Sequence, residues 1–463
     1  VNEITTQVMP NIEIHQCLFG YNEGHRLLAS SLRLPEEAVS TLLILSDLAS
    51  SISMTENQSY WTGTPISSAK SYALMRTWLA PEMSRPGCVW THILIISFSD
   101  IARFPDLSIL MEYTSRPISH SDFEKYSLSI FLPPLQGQSP IKQNETTFDS
   151  ANVLQVIQSI YSDQNTGKIL APLGIFDRAI FAVWSQQWPQ LRRSFSFRTA
   201  TSSNDKLSST IPFNLIIELE GRQNKSNNDI DSIEEWEHIC INDLVTPYGT
   251  DLRRFLWRYG SDVQLGCKRF KFLTNLYLQT RSINLGRGDF YKILKNIINE
   301  LPSPEDGKVL KEDTVGQNKY SLLPLADPID LLAFYLNNSF ASKLPALSSS
   351  IFEAIGRNWP NRSEEILSIA EVAAKGNTKL GAKLLELLVP LINTSTFFTS
   401  TLNRPNLRDK LLTSDPFLLD SNDLIKVPYT ELLQYITQSD ILDGLDNKKN
   451  LNHYINNIEQ LLK

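Results

Sequence analysis

Of the six histidines in this 463-residue chain, His15, His25 and His92 lie on segments that read as a hairpin and a later strand. These are the three able to converge. As a site they would bind a metal or act as acid and base, with Tyr21, Glu23 or Glu82 as partners, because imidazole titrates near neutrality. As packing, each would be hydrogen-bonded singly inside the core or would hold turn backbone. Their spacing matches neither H-x-H nor H-E-x-x-H, so no metal set is expected. Cys88 follows Gly87 at the entry to an apolar strand, a position from which a thiolate can attack. Val89 and Trp90 flank it with apolar bulk, which favours an inert thiol.

The tract from Trp78 to His92 holds two tryptophans, Pro81, Pro86 and Gly87, a composition that makes neither a good helix nor a plain strand. Tertiary contacts must therefore place it. A proline-stiffened loop bearing Arg76, Glu82, Arg85 and Trp90 is good interface material, since tryptophan and arginine dominate hot spots. Tyr21, Gly24, His25 and His92 complete the candidate binding set. Arg192, Arg193 and Arg198 flank Phe195 and Phe197, a basic and aromatic pattern that would suit single-stranded nucleic acid. Arg253, Arg254, Arg258, Lys268, Arg269 and Lys271 form a second basic group, whose default reading is a solvated helical face. No P-loop, no G-x-G-x-x-G and no G-x-S-x-G occurs, so no cofactor is expected.

The elements that must position these groups fall into two styles. Residues 12–19 alternate as a strand, Gly20 to Gly24 is turn chemistry, and His25 to Ser31 returns as a second strand. Pro35 opens a helix to about Ser51. Tyr60 to Gly63 reads as a loop, and Ser71 to Trp78 as a short helix or strand. Strands are expected at 88–98, 126–132, 192–198 and 213–220, and helices at 150–162 and 174–188. Gln136–Asn144 and Gly221–Asp231 are polar linkers. After about Ser232 helical spacing dominates, at 252–259, 269–280, 289–300, 327–336, 351–358, 363–374, 379–392 and 429–438. The fold class is thus an α+β N-terminal half with a mixed or antiparallel sheet, followed by an all-α C-terminal half. Its helix pairs could stack as a solenoid, although no motif repeats at a fixed period. The expected divisions are 1–140, 141–225 and 226–463.

Composition sets the outer bounds. The chain is long enough for two or three domains, with 42% hydrophobic and 20% charged residues. A net charge of -7 offers no overall attraction for a polyanion. Four cysteines without a C-x-x-C pair are too few for a disulfide framework and fit reduced thiols in the cytoplasm. Val1 to Gln7 lacks the basic and apolar regions of a signal peptide, and no apolar run nears the roughly 18–20 residues that span a bilayer. Val rather than Met at position 1 points to a trimmed N-terminus or an alternative start codon.

The segment His15-Gln-Cys-Leu-Phe-Gly-Tyr-Asn-Glu-Gly-His-Arg-Leu-Leu-Ala-Ser-Ser31 resembles the opening of the bacterial GTPase-associated protein family, in its type 1 N-terminal domain. Arg76-Thr-Trp78, Ala80-Pro-Glu-Met83 and Arg85-Pro-Gly-Cys-Val-Trp-Thr-His92 are similar to that family's second motif. Leu191-Arg-Arg-Ser-Phe-Ser-Phe-Arg198 is similar to a later one. The resemblance covers the chain to about residue 200 and leaves the helical half unmatched. It implies a non-GTPase component encoded beside GTPases in bacterial conflict, or anti-phage, systems, and it brings no catalytic residue to carry over.

The leading expectation is a cytoplasmic, non-catalytic adaptor or regulatory subunit that binds a protein partner, a GTPase or another product of the same gene cluster, through its α+β part. The first alternative is a hydrolase or nuclease effector using His25 and His92. The second is a nucleic-acid sensor using Arg192, Arg193 and Arg198. No membrane association is expected.

Overall fold

The computed structural model describes residues 11–49, 52, 54–83, 85–118, 120–133, 149–163, 166–202, 211–219, 233–246, 250–281, 286–318, 320–324, 326–376, 378–428 and 430–431. Both expected linkers, 136–144 and 221–231, lie outside these residues, as does most of the expected helix 429–438. The chain forms two compact units, Val1–Arg281 and Ser282–Lys463.

The first unit is built on a mixed sheet of nine strands among the described residues. They are β1 (Ile12–Tyr21), β2 (His25–Ser30), β3 (Ser59–Ile66), β4 (Ser71–Leu79), β5 (Val89–Ser97), β6 (Ile130–Leu132), β7 (Lys168–Ala171), β8 (Phe197–Thr201) and β9 (Leu215–Leu219). Their order is β2-β1-β5-β4-β3-β8-β9-β7, with β6 also paired to β1. The pairings from β2 to β8 are antiparallel, whereas β9 runs parallel to both β8 and β7. Because β8 joins β3, residues 141–225 contribute to the same sheet as the first 140. The expected divisions at 140 and 225 are therefore changes of sequence style inside one unit.

Side chains alternate across a strand, so the register assigns each residue to a face. One face carries Cys17, Phe19, Ala73, Met75, Ile93 and Ile95. It is covered by α1 (Glu36–Ser46) through Ala38, Leu42 and Leu45. The opposite face carries Leu18, Trp61, Arg76, Trp78, Trp90 and His92, as the pairs Trp61↔Arg76, Arg76↔His92, Trp78↔Trp90 and Leu18↔His92 require. Short 3-10 turns at Leu107–Tyr113 and His120–Ser127 and α3 (Asp177–Gln186) cover this side, with Phe181 edge-on to Trp61 at 5.2 Å and Trp184 against Tyr72 at 4.7 Å.

Two local expectations change. Tyr60 to Gly63 is not a loop but lies within β3, because its aromatic rings pack on both faces of a sheet that local sequence does not reveal. Residues 192–198 are not one strand. Arg192 to Ser194 end α4 (Pro189–Ser194), which starts on a proline, and β8 begins only at Phe197.

Behind α3 lie α2 (Ser150–Tyr161), α5 (Glu235–Val245), α6 (Asp251–Tyr259) and α7 (Gly266–Thr280). The Tyr161 and Phe270 rings stack at 3.9 Å, and Gln186 Nε2 donates to the Cys240 carbonyl at 2.9 Å. These contacts tie α5 to α7 into the first unit. The change to helices near residue 226 thus precedes the end of that unit at Arg281.

In the second unit, α8 (Arg287–Glu300), α10 (Pro328–Asn337), α11 (Ser349–Gly376), α12 (Lys379–Leu388), α13 (Phe397–Ser400) and α14 (Pro405–Ser414) share a core that includes Leu331, Phe334, Ile355, Leu384 and Leu411, and Val315, just after α9 (Lys308–Thr314), joins it. The two helices expected at 351–358 and 363–374 both form, as the two arms of α11, parted by a kink at Arg362 (φ −130°), whose backbone is non-helical two residues after Pro360. Arg362 binds Asp327, the N-cap of α10, and Glu365 at 2.7 Å. No helix among the described residues is long and apolar enough to cross a membrane.

Candidate functional site

The hairpin turn after β1 and the loop before β5 leave the sheet at the same end, because β1 and β5 are antiparallel with Phe19 opposite Thr91. In the turn, Tyr21 pairs with His25 across Asn22, Glu23 and Gly24. Glu23 and Gly24 both have positive φ, 55° and 132°. Glycine adopts that region without strain, which is why the turn needs one. Tyr21 is half-buried, while Asn22, Glu23 and Arg26 are exposed.

Buried and half-buried side chains hold the β4–β5 loop. The Ala80 N–H donates to the Cys88 carbonyl at 2.8 Å and closes the loop base. Trp90, 1% exposed, donates its indole Nε1–H to Glu82 Oε1 at 2.6 Å. Arg116 Nη2 reaches both oxygens of the same carboxylate, at 2.8 and 2.6 Å, and also donates to the Leu79 carbonyl at 3.0 Å. Burial raises the Glu82 pKa, but the Trp90 bond, a backbone bond and Arg116 outweigh it and hold the carboxyl below its usual range. With its backbone so fixed, the loop exposes Pro81, Arg85, Pro86 and Gly87. It also encloses a cleft of about 320 Å³ lined by Leu79, Ala80, Pro81, Met83, Pro86 and Cys88.

The histidines do not converge. His25 lies on the α1 side of the sheet, where its Nε2 meets Ser46 Oγ at 2.8 Å and its ring tilts against Phe19. Burial lowers its pKa, opposed by the Asp47 charge. His92 lies on the other face: Thr91, its neighbour, bonds the Ser46 carbonyl on the α1 side, so His92 must point away. There the Ser115 N–H donates to His92 Nδ1 at 3.1 Å, which leaves the proton on Nε2 to donate to Gln16 Oε1 at 2.9 Å. Burial holds the His92 pKa at about 3, so the ring is neutral. Gln16 in turn donates to the Lys125 and Leu128 carbonyls and ties the 3-10 turn to β1. His15 contacts Ser31 Oγ at 3.3 Å, further along the hairpin. The acid and base pair expected of His25 and His92 is therefore not formed, because the sheet separates them.

The other candidates are also accounted for. Burial pushes the Cys88 thiol up, with Arg85 only partly opposing it, and among the described residues no side-chain base bonds the sulfur. Arg76 does not reach the loop. Its guanidinium lies over Trp61 at 4.9 Å and Trp78 at 5.1 Å, and its Nε donates to Ser59 Oγ at 3.0 Å. Arg192 is fully buried and donates to the Ile101, Phe104 and Ser185 carbonyls, and Arg198 is 1% exposed. Neither can face a nucleic acid, and Arg193 between them is only half-exposed. The period-two pattern that suggested a binding strand arises instead from a helix end followed by a central strand. Among the described residues no group of three His, Cys, Asp or Glu side chains could hold a metal ion.

Sequence reading missed Arg116, Gln16, Ser115 and Ser46, the groups that fix Glu82, His92 and His25. Arg116 lies 34 residues from Glu82, and no local spacing announces it.

Fold and site together define a mixed-sheet module whose polar residues hold an exposed, stiffened loop and turn at one end of the sheet. Residues 13–114 match the family described as GTPase-associated protein 1, N-terminal domain type 1, so this chain carries a GTPase-associated protein domain. The matched residues span β1 to β5 and contain both the hairpin and the β4–β5 loop, while Leu191–Arg198 lies beyond them. No curated protein and no solved structure matches the chain.

Proposed function

We propose that this protein is a non-catalytic adaptor or regulatory subunit of a bacterial GTPase-linked conflict, or anti-phage, system, acting in the cytoplasm. It docks a protein partner, a GTPase or another product of its gene cluster, through the sheet end formed by the hairpin turn and the β4–β5 loop. One observation supports this most: the two tracts meet at one end, where interior contacts fix their backbones and leave Asn22, Glu23, Arg26, Pro81, Arg85 and Pro86 exposed. A surface already stiff loses little conformational entropy on binding, which favours affinity from few contacts. The GTPase-associated domain supports a GTPase-related partner. The hydrolase alternative has no geometric support, since its two histidines lie on opposite faces and each is held by its own partners.

The test is binding of the full chain to each purified product of the neighbouring genes, the GTPase included, measured by calorimetry. Arg85→Glu and Glu23→Arg should each weaken the complex at least roughly tenfold, the size of one lost charged contact at an interface, without lowering Tm. A complex that both variants leave unchanged removes this face from the reading. Failure of every neighbour to bind removes the adaptor role.

A further inference from the structure

The walls of the cleft in the β4–β5 loop include Leu79, Ala80, Pro81, Met83, Pro86 and Cys88, all of them apolar. The nearby backbone groups are spent on one another. The Ala80 N–H donates to the Cys88 carbonyl at 2.8 Å, the Met83 N–H to the Ala80 carbonyl at 3.0 Å and the Cys88 N–H to the Arg85 carbonyl at 3.4 Å. Arg116 takes the Leu79 carbonyl, and the two prolines have no N–H to offer. Burial pushes the Cys88 thiol up, so it remains an uncharged wall. Few polar groups are left to orient a hydrophilic ligand.

The volume, about 320 Å³, is at the low end of the roughly 300–1,000 Å³ of small-molecule sites. It has room for one large side chain and not for a stretch of peptide. Met83 and Cys88 pack on the buried cluster of Leu18, Ala80, Trp90 and Tyr126, which gives the cleft a firm floor. The Met83 thioether is adaptable and makes favourable contacts with aromatic ring edges. The rim adds a charge. Glu82 is already taken by Trp90 and Arg116. Arg85 is exposed and forms no ion pair among the described residues. Its charge acts on the Cys88 thiol more strongly than that of Asp47, so the guanidinium stands beside the cleft.

On the reading that this sheet end docks a protein partner, we infer that the cleft receives one aromatic side chain of that partner, and that Arg85 pairs with a carboxylate beside it in the partner's sequence. The ring supplies the burial, against Met83 and the two prolines. The carboxylate meets the one cation at the rim that has no counter-charge of its own among the described residues.

The test is NMR of the full chain labelled with carbon-13 at its methionine methyls, of which there are five. The Met83 signal is assigned by its loss in Met83→Leu. The end-blocked tetrapeptide Gly-Phe-Glu-Gly should displace that signal by ring current, in a saturable way. Gly-Phe-Lys-Gly should bind about two- to fivefold more weakly, the size of one exposed ion pair. Gly-Ser-Glu-Gly should bind at least roughly tenfold more weakly, as expected when no ring is buried. No saturable displacement by the first peptide overturns the inference, as does equal binding of either of the other two. The unaltered protein carries this readout, so it does not depend on a variant folding. Met83→Glu should also weaken the complex with a neighbouring gene product at least tenfold, and a complex that it leaves unchanged overturns the cleft's role alone. A cleft that takes the first peptide while no neighbour binds the chain removes the adaptor reading and leaves the cleft's specificity standing.

Discussion

Gly20 lies directly beneath the indole of Trp90: a Cβ placed on Gly20 would come within 2.4 Å of Trp90 Cε3 and 3.0 Å of a Leu28 methyl. One residue of the hairpin thus sets the depth of the ring whose Nε1–H holds Glu82 in the neighbouring loop. The two tracts are mechanically joined through that contact. Gly20→Ala should force the ring outward and cost about 1–3 kcal/mol, the range for overpacking a filled core. Urea unfolding followed by tryptophan fluorescence reads both effects. A variant as stable as the parent, with unchanged emission, would show that the ring has room to spare.

The Glu82 clamp has a definite pH sign. Its carboxyl is held below the normal value, so its contribution is present above the unfolded value of 4.5 and fades as pH falls through the lower folded value. Glu82→Gln keeps the size and removes the charge. It should cost roughly 1 kcal/mol, reduced because the pair with Arg116 is partly exposed. Proteolysis within the β4–β5 loop should accelerate for this variant at pH 7, and for the parent only in acid.

His92 should not titrate in the physiological range. Its folded pKa, about 3, lies below the unfolded 6.5, so the unfolded chain takes up the proton first. Stability from this group is complete above pH 6.5 and declines as pH falls toward 3, by up to about 1.4 kcal/mol per pH unit for one proton. Proton NMR of the imidazole, with His92→Gln to assign it, checks the value. A midpoint near 6.5 in the folded protein would contradict the buried, neutral ring.

Arg192 should matter for folding and not for nucleic acid. Arg192→Ala removes donors from three backbone carbonyls and the cation lying 4.9 Å over Trp257, and should destabilise the first unit by roughly 3 kcal/mol. Gel-shift assays with single-stranded DNA at low salt should show no arginine-dependent binding. Binding lost in a variant that remains folded would restore the nucleic-acid reading.

The loop at 80–88 was legible as something unusual because its prolines, glycine and tryptophans satisfy no periodicity. The hairpin was legible from its glycines and alternation. What these tracts touch was not legible. Trp61 looked like loop until Phe181, 120 positions on, gave it a packing partner, and Arg198 looked like a surface cation until Tyr60 and Asp47 enclosed it.

Local pattern determined the strands of the hairpin, the turn chemistry and the helical character after residue 232, because period and backbone preference act over a few neighbouring residues. Only the tertiary structure decided which face each residue occupies, since a one-residue change in register sends every side chain to the other side of a sheet. That choice parted His25 from His92, buried Arg192 and Arg198, and left the turn and the proline loop together at an exposed end.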